Sequence, residues 1–289
     1  VKILSPGGNW MTLAGELALG VAELLPPGAT VATVTGRAPA ALAWDGPRLV
    51  AAGHYDLAIT TPGWHLTLTP ELPLACLAAF PHDDQLALAV RRELGITSLS
   101  QVKGLKVSMP GPDSGHPAHW ALARILPMYG VEIGDLEILR DRPRSLHAPD
   151  LPPADPAFDA VFDEALMTMR WKNLTEQYDL DFLPLDPGVL EACADLGMTP
   201  GVLRAGRLRG VERDVPTIDF SGWYLYCARG LADELAYAAV QALDQRRHAI
   251  GERFPQPLPP LTGPIDLPGD TPLPLHPGAR AYYAEKGYL

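Results

Sequence analysis

No apolar run in this sequence approaches the roughly 18 residues that a membrane-spanning helix needs, so no span is read from it. Positive charge is scarce as well. Lys and Arg number 23 against 34 Asp and Glu, a formal net charge of −11. No Lys/Arg-rich block breaks that pattern, and a nucleic-acid surface requires a basic patch, so nucleic acid is excluded as a partner. Cysteine is almost missing. Cys76, Cys193 and Cys227 are odd in number and show no C-x-x-C spacing, which excludes a zinc ribbon and a disulfide framework. Cys76 and Cys227 lie in apolar, strand-like runs and are read as buried thiols. No signal peptide is visible in the sequence, whose first residues, Val1-Lys2-Ile3-Leu4, read as a strand. The expected location is periplasmic or extracytoplasmic if a leader has been removed, and cytoplasmic otherwise. Enzyme signatures are missing too. There is no GxSxG, no P-loop and no GxGxxG, and the eight histidines do not cluster at metal spacing. His116 and His119 stand three apart with no third ligand in view. No cofactor and no metal are expected.

What is present is an alternation. At 289 residues the chain has room for two lobes, and 31 Pro with 27 Gly punctuate it heavily. VKILS, a helix carrying Leu13, Leu17 and Leu24, TVATVT at 30–35, a helix over 40–52 and YDLAIT at 55–60 follow one another. That βαβαβ order implies a parallel sheet flanked by helices. LACLAAF and QLALAV continue it. A second series starts at LKVSM, residues 105–109, followed by a helix that Pro127 should shorten, the strands FDAVF and DFLPL, and a long strand GWYLYCA at 222–228. A helix burying Leu235, Ala239, Ala242 and Leu243 comes next. The Pro-rich stretches at 142–156 and 254–274 read as a surface loop and an extended strap. The expected fold is α/β with two lobes. Residues 1–84 plus 221–289 form a discontinuous lobe 1 and residues 85–220 form lobe 2, each with a mixed, mainly parallel sheet and with a ligand cleft between them.

Ligands of open α/β sheets bind at the carboxyl ends of strands, so candidate residues are sought there. Gly7, Gly8, Asn9, Trp10 and Met11 follow the first strand and open a helix, whose free N–H groups suit an anion. The alternative is an ordinary βα turn with an N-cap. Asp113, Ser114, Gly115 and His116 stand in the same position after LKVSM, with Pro117 placed for a first helical turn. Here too a capped loop is the alternative. Asp163 and Glu164 end FDAVF and could take an ammonium or a hydroxyl, or act as a general base; acids at a solvated helix start are the plainer reading. Arg37 could pair bidentately with a carboxylate or simply be exposed. Thr60 and Thr61 end YDLAIT. Trp223 could stack on a ligand or belong to the core.

Four segments, PGGNWMTLAGELA, LGITSLSQVKGLKVSMPGPDSG, LADELAYAAVQAL and the tail LPLHPGARAYYAEKGY, resemble in order and spacing the TAXI-type solute-binding proteins of TRAP transporters. The tail, at residues 273–289, is the most telling of them. Its tyrosines and His276-Pro277-Gly278 are expected to pin the last strap and helix to lobe 1. The resemblance implies a two-lobed type II periplasmic-binding-protein fold. It also implies hinge closure on a small, often carboxylate-bearing solute, and TRAP-type membrane subunits as partners of a monomer that does not itself insert. Two places depart from the family pattern: Gly36-Arg37-Ala38-Pro39-Ala40-Ala41 after the second strand, and the acids Asp163-Glu164. Because fold does not fix function, an enzyme on the same frame, such as a decarboxylase of an aromatic acid, and a cytoplasmic small-molecule sensor stand as alternatives.

Overall fold

The computed structural model describes residues 1–5, 9–35, 39–60, 62–80, 83–111, 116–140, 158–165, 168–253 and 271–289. In chain order the described residues form β1 (Lys2–Leu4), α1 (Asn9–Leu24), β2 (Ala32–Val34), α2 (Pro39–Ala51), β3 (Leu57–Thr60), β4 (Leu74–Phe80), β5 (Leu86–Arg91), β6 (Lys106–Met109), α3 (Pro117–Ile125), β7 (Glu137–Arg140) and β8 (Ala160–Glu164). They continue with α4 (Thr168–Gln177), β9 (Leu180–Phe182), α5 (Pro187–Asp195), β10 (Pro200–Leu203), β11 (Val215–Ile218), β12 (Trp223–Ala228), α6 (Asp233–Arg253) and α7 (Pro277–Glu285). Two compact units result: Val1–His82 with Ser221–Leu289, and Asp83–Phe220.

The first unit is built on a five-stranded sheet in the order β2-β1-β3-β12-β4. β1, β2 and β3 pair in parallel, and the returning strand β12 runs antiparallel between β3 and β4. β3 and β4 are buried along their whole length and β12 along most of its own, and all three are mainly apolar, as a sheet covered on both sides requires. Leu13, Leu17 and Val21 of α1 repeat every fourth residue and are fully buried. Fully burying each such side chain contributes on the order of 1.5–3 kcal/mol. The expected strand at 30–35 is only the short, exposed edge β2. Helix α2 carries Pro47 internally, beside Gly46. A Cβ at Gly46 would come within 2.5 Å of the Tyr226 hydroxyl, so glycine is what lets α2 lie against β12.

Helix α6 packs on α1, burying Ala236, Ala239, Val240, Ala242 and Leu243. Leu235 was expected in that face and is only half-buried. The buried face begins instead at Ala236, one position later. At the contact with α1, Arg246 meets Glu16 at 2.8 Å and Glu23 at 3.1 Å. The tail packs on this same unit. Cys76 donates its N–H to the Pro274 carbonyl and accepts from His276 N–H, so the strap covers the free edge of β4. The His276 Nδ1 then caps α7 by accepting from Gly278 N–H. Tyr283 is fully buried and donates its hydroxyl to the Leu77 carbonyl. Tyr282 donates to Asp244 at 2.6 Å.

The second unit repeats the plan in the order β7-β6-β8-β5-β9. β6 pairs in parallel with β7 and β8, while β5 runs antiparallel to β8 and β9. Helix α3 gives way at Ile125 to a 3-10 turn containing Pro127, because proline cannot donate to the preceding turn and clashes with it. A separate two-stranded antiparallel sheet joins β10 and β11. It has no counterpart in the sequence reading, since Pro200, Gly201 and Pro216 look like loop punctuation. In a two-stranded sheet each strand is an edge, and there proline is tolerated. The Pro-rich stretch 142–156 and the strap at 254–270 lie outside the described residues.

Candidate functional site

In the first unit, β1 and β3 end at the edge where α1 begins and where β12 starts. Thr60 closes β3 opposite Tyr224, and Phe80 closes β4 opposite Trp223. Trp223 is buried and meets Trp10 edge-to-face, with ring centroids 5.8 Å apart. Aromatic pairs prefer that geometry because the positive ring edge faces the negative face. Trp10 sits in the first turn of α1, half-buried, and its indole N–H is fully buried with no hydrogen-bond partner. Met11 beside it is exposed. Asn9 is the first residue of α1.

Thr60 is fully buried, and its hydroxyl lies 3.4 Å from the Nδ1 of His65. His65 stacks face to face on Trp44 at 4.2 Å and donates to the Trp44 backbone carbonyl. Burial pushes its imidazole down to about 4, against the smaller upward pull of that hydrogen bond. His65 and Trp44 were missed in the sequence. They lie 21 positions apart in the chain, and no helical or strand spacing connects them.

In the second unit, β6 and β8 end on one edge, where β5 begins. The acids Asp163 and Glu164 lie inside β8, in register with Ala87 and Leu86 of β5. They are 3% and 6% exposed, which overturns the reading of a solvated helix start. The strand extends past Phe162 because β5 supplies backbone partners for two more residues. Glu164 is held at both ends of its backbone. Its N–H donates to Asp163 Oδ1 at 2.9 Å, and its carbonyl accepts from the Trp171 indole at 2.8 Å.

His116 is the N-cap of α3 and accepts the Ala118 N–H on Nδ1 at 3.2 Å. The other ring nitrogen, Nε2, faces Glu164. That Nε2 lies 3.7 Å from Glu164 Oε1, beyond hydrogen-bond reach. Glu164 Oε1 is buried and has no hydrogen-bond partner. Burial drives the Glu164 carboxyl well above the ordinary carboxylate range; the His116 ring pulls it back and Asp163 pushes it further up. On the same edge Gln85 donates to Asp83 Oδ1 at 2.7 Å, and Thr217 donates to the Leu86 carbonyl at 2.6 Å. Chemically the edge offers a buried carboxyl, an imidazole and the first turn of a helix.

The structure thus brings Trp10 together with Trp223 in the first unit, and His116 together with Glu164 and Asp163 in the second. Gly7, Gly8, Arg37, Thr61, Asp113, Ser114 and Gly115 lie outside the described residues. Among the described residues no group of three or more His, Cys, Asp and Glu could hold a metal ion, and no helix is long and apolar enough to cross a membrane. All three cysteines are buried free thiols, and burial pushes Cys76 and Cys227 up to about 12.

Solved structures match over the full chain. PhnD1 from Prochlorococcus marinus (MIT 9301), in complex with methylphosphonate, is 9% identical, with 100% of this chain and 98% of that chain covered and a TM-score of 0.53. XAC2383 from Xanthomonas citri, bound to chloride ion, is 13% identical, covers 100% and 99%, and gives a TM-score of 0.50. At such identities the likeness is one of fold, and the fold is that of the type II periplasmic binding proteins. No functionally curated protein matches the sequence. A protein-family model does, over residues 74–287, and by that match the chain belongs to the NMT1-like family.

Proposed function

We propose that this protein is a solute receptor of the TAXI type, acting outside the cytoplasm with the membrane subunits of a TRAP-type transporter. It takes a small polar or carboxylate-bearing molecule between its two units and closes by hinge motion at the two places where the chain passes from one unit to the other. One observation carries the reading: each unit ends its parallel strands on an edge where a helix begins and where a buried polar atom has no partner. Those atoms are the Trp10 indole N–H and Glu164 Oε1.

In this reading the helix starts after Gly8 and Ser114, with Arg37, hold the anionic part of the ligand. Asn9, Met11, Thr60, Thr61, Asp113, Gly115 and His116 frame it, and Trp10 with Trp223 forms an aromatic wall. Asp163 or Glu164 receives a hydrogen-bond donor. Closure requires that the ligand bind the closed state more tightly than the open one. The test is native mass spectrometry for a co-purified solute, followed by calorimetry and thermal shift on stripped protein with amino acids, keto acids and dicarboxylates. A co-purified solute that rebinds and lowers the radius of gyration in X-ray scattering supports the receptor. No solute, no shift and no heat with any of them would falsify it.

The approach of His116 Nε2 to 3.7 Å from Glu164 Oε1 favours a second reading, an enzyme in which an imidazole and a carboxyl share acid–base work. Turnover of an aromatic acid that is lost in Glu164→Gln would establish it.

A further inference from the structure

We propose that Glu164 selects the ligand, by accepting a hydrogen bond from a positively charged nitrogen on it. The inference rests on the receptor reading and names the chemical class that the second unit recognises.

Of the two neighbouring acids, Asp163 already spends Oδ1 on the Glu164 N–H. Glu164 Oε1 accepts nothing, although the residue is 6% exposed. A buried carboxyl oxygen without a donor costs the desolvation of that oxygen. The side chain cannot escape by sliding the strand, because Leu86 fixes the register of Glu164 and the Trp171 indole holds its carbonyl. Hence the missing donor has to come from outside the strand.

A hydroxyl would supply a donor only. An ammonium supplies a donor and a compensating charge together, and charge-assisted bonds are the stronger ones. Among the described residues, the ionisable groups that act on Glu164 are His116, from the start of α3, and Asp163 on its own strand. Opposite it β5 offers apolar Leu86, and α4 offers the Trp171 indole. Asp163 makes the place more acidic, so a ligand carboxylate is repelled from it and a cationic nitrogen is favoured.

The test compares matched pairs on the stripped, full-length protein: L-alanine, L-glutamate and 4-aminobutanoate against propanoate, glutarate and butanoate. Calorimetry in two buffers of different ionisation enthalpy also counts the proton released when Glu164 ionises. The expected result is that amines bind wild type roughly 30-fold or more tighter than their deaminated partners. Glu164→Gln erases that preference, while Asp163→Asn and Glu164→Asp keep it. Deaminated acids that bind wild type as tightly as the amines overturn the proposal, as does a folded Glu164→Gln that keeps the preference. Should Glu164→Gln fail to melt cooperatively, the wild-type preference together with Glu164→Asp decides. If neither series binds wild type but a co-purified solute or a keto acid without a cationic nitrogen does, the inference falls and the receptor reading stands; if nothing binds, both fall; binding without discrimination removes the inference alone.

Discussion

At the scale of single residues, two buried ionisable groups set opposite pH dependences. His65 carries a folded value of about 4 against 6.5 for a free imidazole. Between those values the unfolded chain binds more protons than the folded one, so stability is fully present above about pH 6.5 and is lost as pH falls toward 4. The difference corresponds to roughly 3 kcal/mol. Urea unfolding of wild type at pH 7 and pH 4.5 should show most of that loss, and His65→Gln should show a much flatter profile while starting from a lower stability. Glu164 works the other way. Its folded carboxyl holds its proton to higher pH than the unfolded one, so the stability it contributes is present below the unfolded value and is lost as pH rises through the folded value. Glu164→Gln, which cannot ionise, should therefore melt above wild type at pH 8, with the gap closing toward pH 4. A variant that melts below wild type at both pH values would show that the carboxyl is paired rather than stranded.

At the scale of elements, the contact of α1 with α6 rests on one buried acid. Glu16 is 2% exposed, and Arg246 reaches it with two guanidinium nitrogens, at 2.9 and 2.8 Å. Gly20 makes the approach possible, since a Cβ there would come within 2.8 Å of both Ala242 and Arg246. Removing the cation that faces a buried carboxylate costs about 3–5 kcal/mol. Arg246→Ala should lose that much in urea unfolding. The double variant Glu16→Met with Arg246→Met should lose far less, because both charges leave together. If the double variant is as weak as the single one, packing and not charge holds the helices. This pair also marks where the sequence stops being legible. The apolar face of α1 follows from the spacing of Leu13 and Leu17, and the parallel pairing of β1, β2 and β3 follows from the alternation. Glu16 and Arg246 are 230 positions apart, and no local pattern joins them. The same holds at the candidate site: Asp163 and Glu164 could be named as acids after a strand, but their burial depends on β5 pairing beyond Phe162. His65 was invisible because its partners come from α2 and β3, which meet only in the folded unit.

At the scale of the whole molecule, one unit is continuous in sequence and the other is assembled from both ends of the chain. The first unit therefore depends on its last residues for closure. The strap at Cys76 covers the edge of β4, and Tyr283 seats its ring in the core and its hydroxyl on the Leu77 carbonyl. Tyr283→Phe should cost about 1 kcal/mol, the net worth of one buried hydrogen bond. Tyr283→Ala should cost about 3–5 kcal/mol, since it also leaves an aromatic-sized cavity. Hydrogen exchange then asks how far that loss spreads. Because the carbonyl that Tyr283 bonds and the rings it meets, Tyr282 and Tyr288, belong to the first unit, protection should fall in β4, β12 and α6 while β5, β6 and β8 keep theirs, as expected of separate cooperative units. Equal loss in both sets of strands would mean that the two units unfold as one, and the tail would then govern the stability of the unit that carries Glu164 as well as its own.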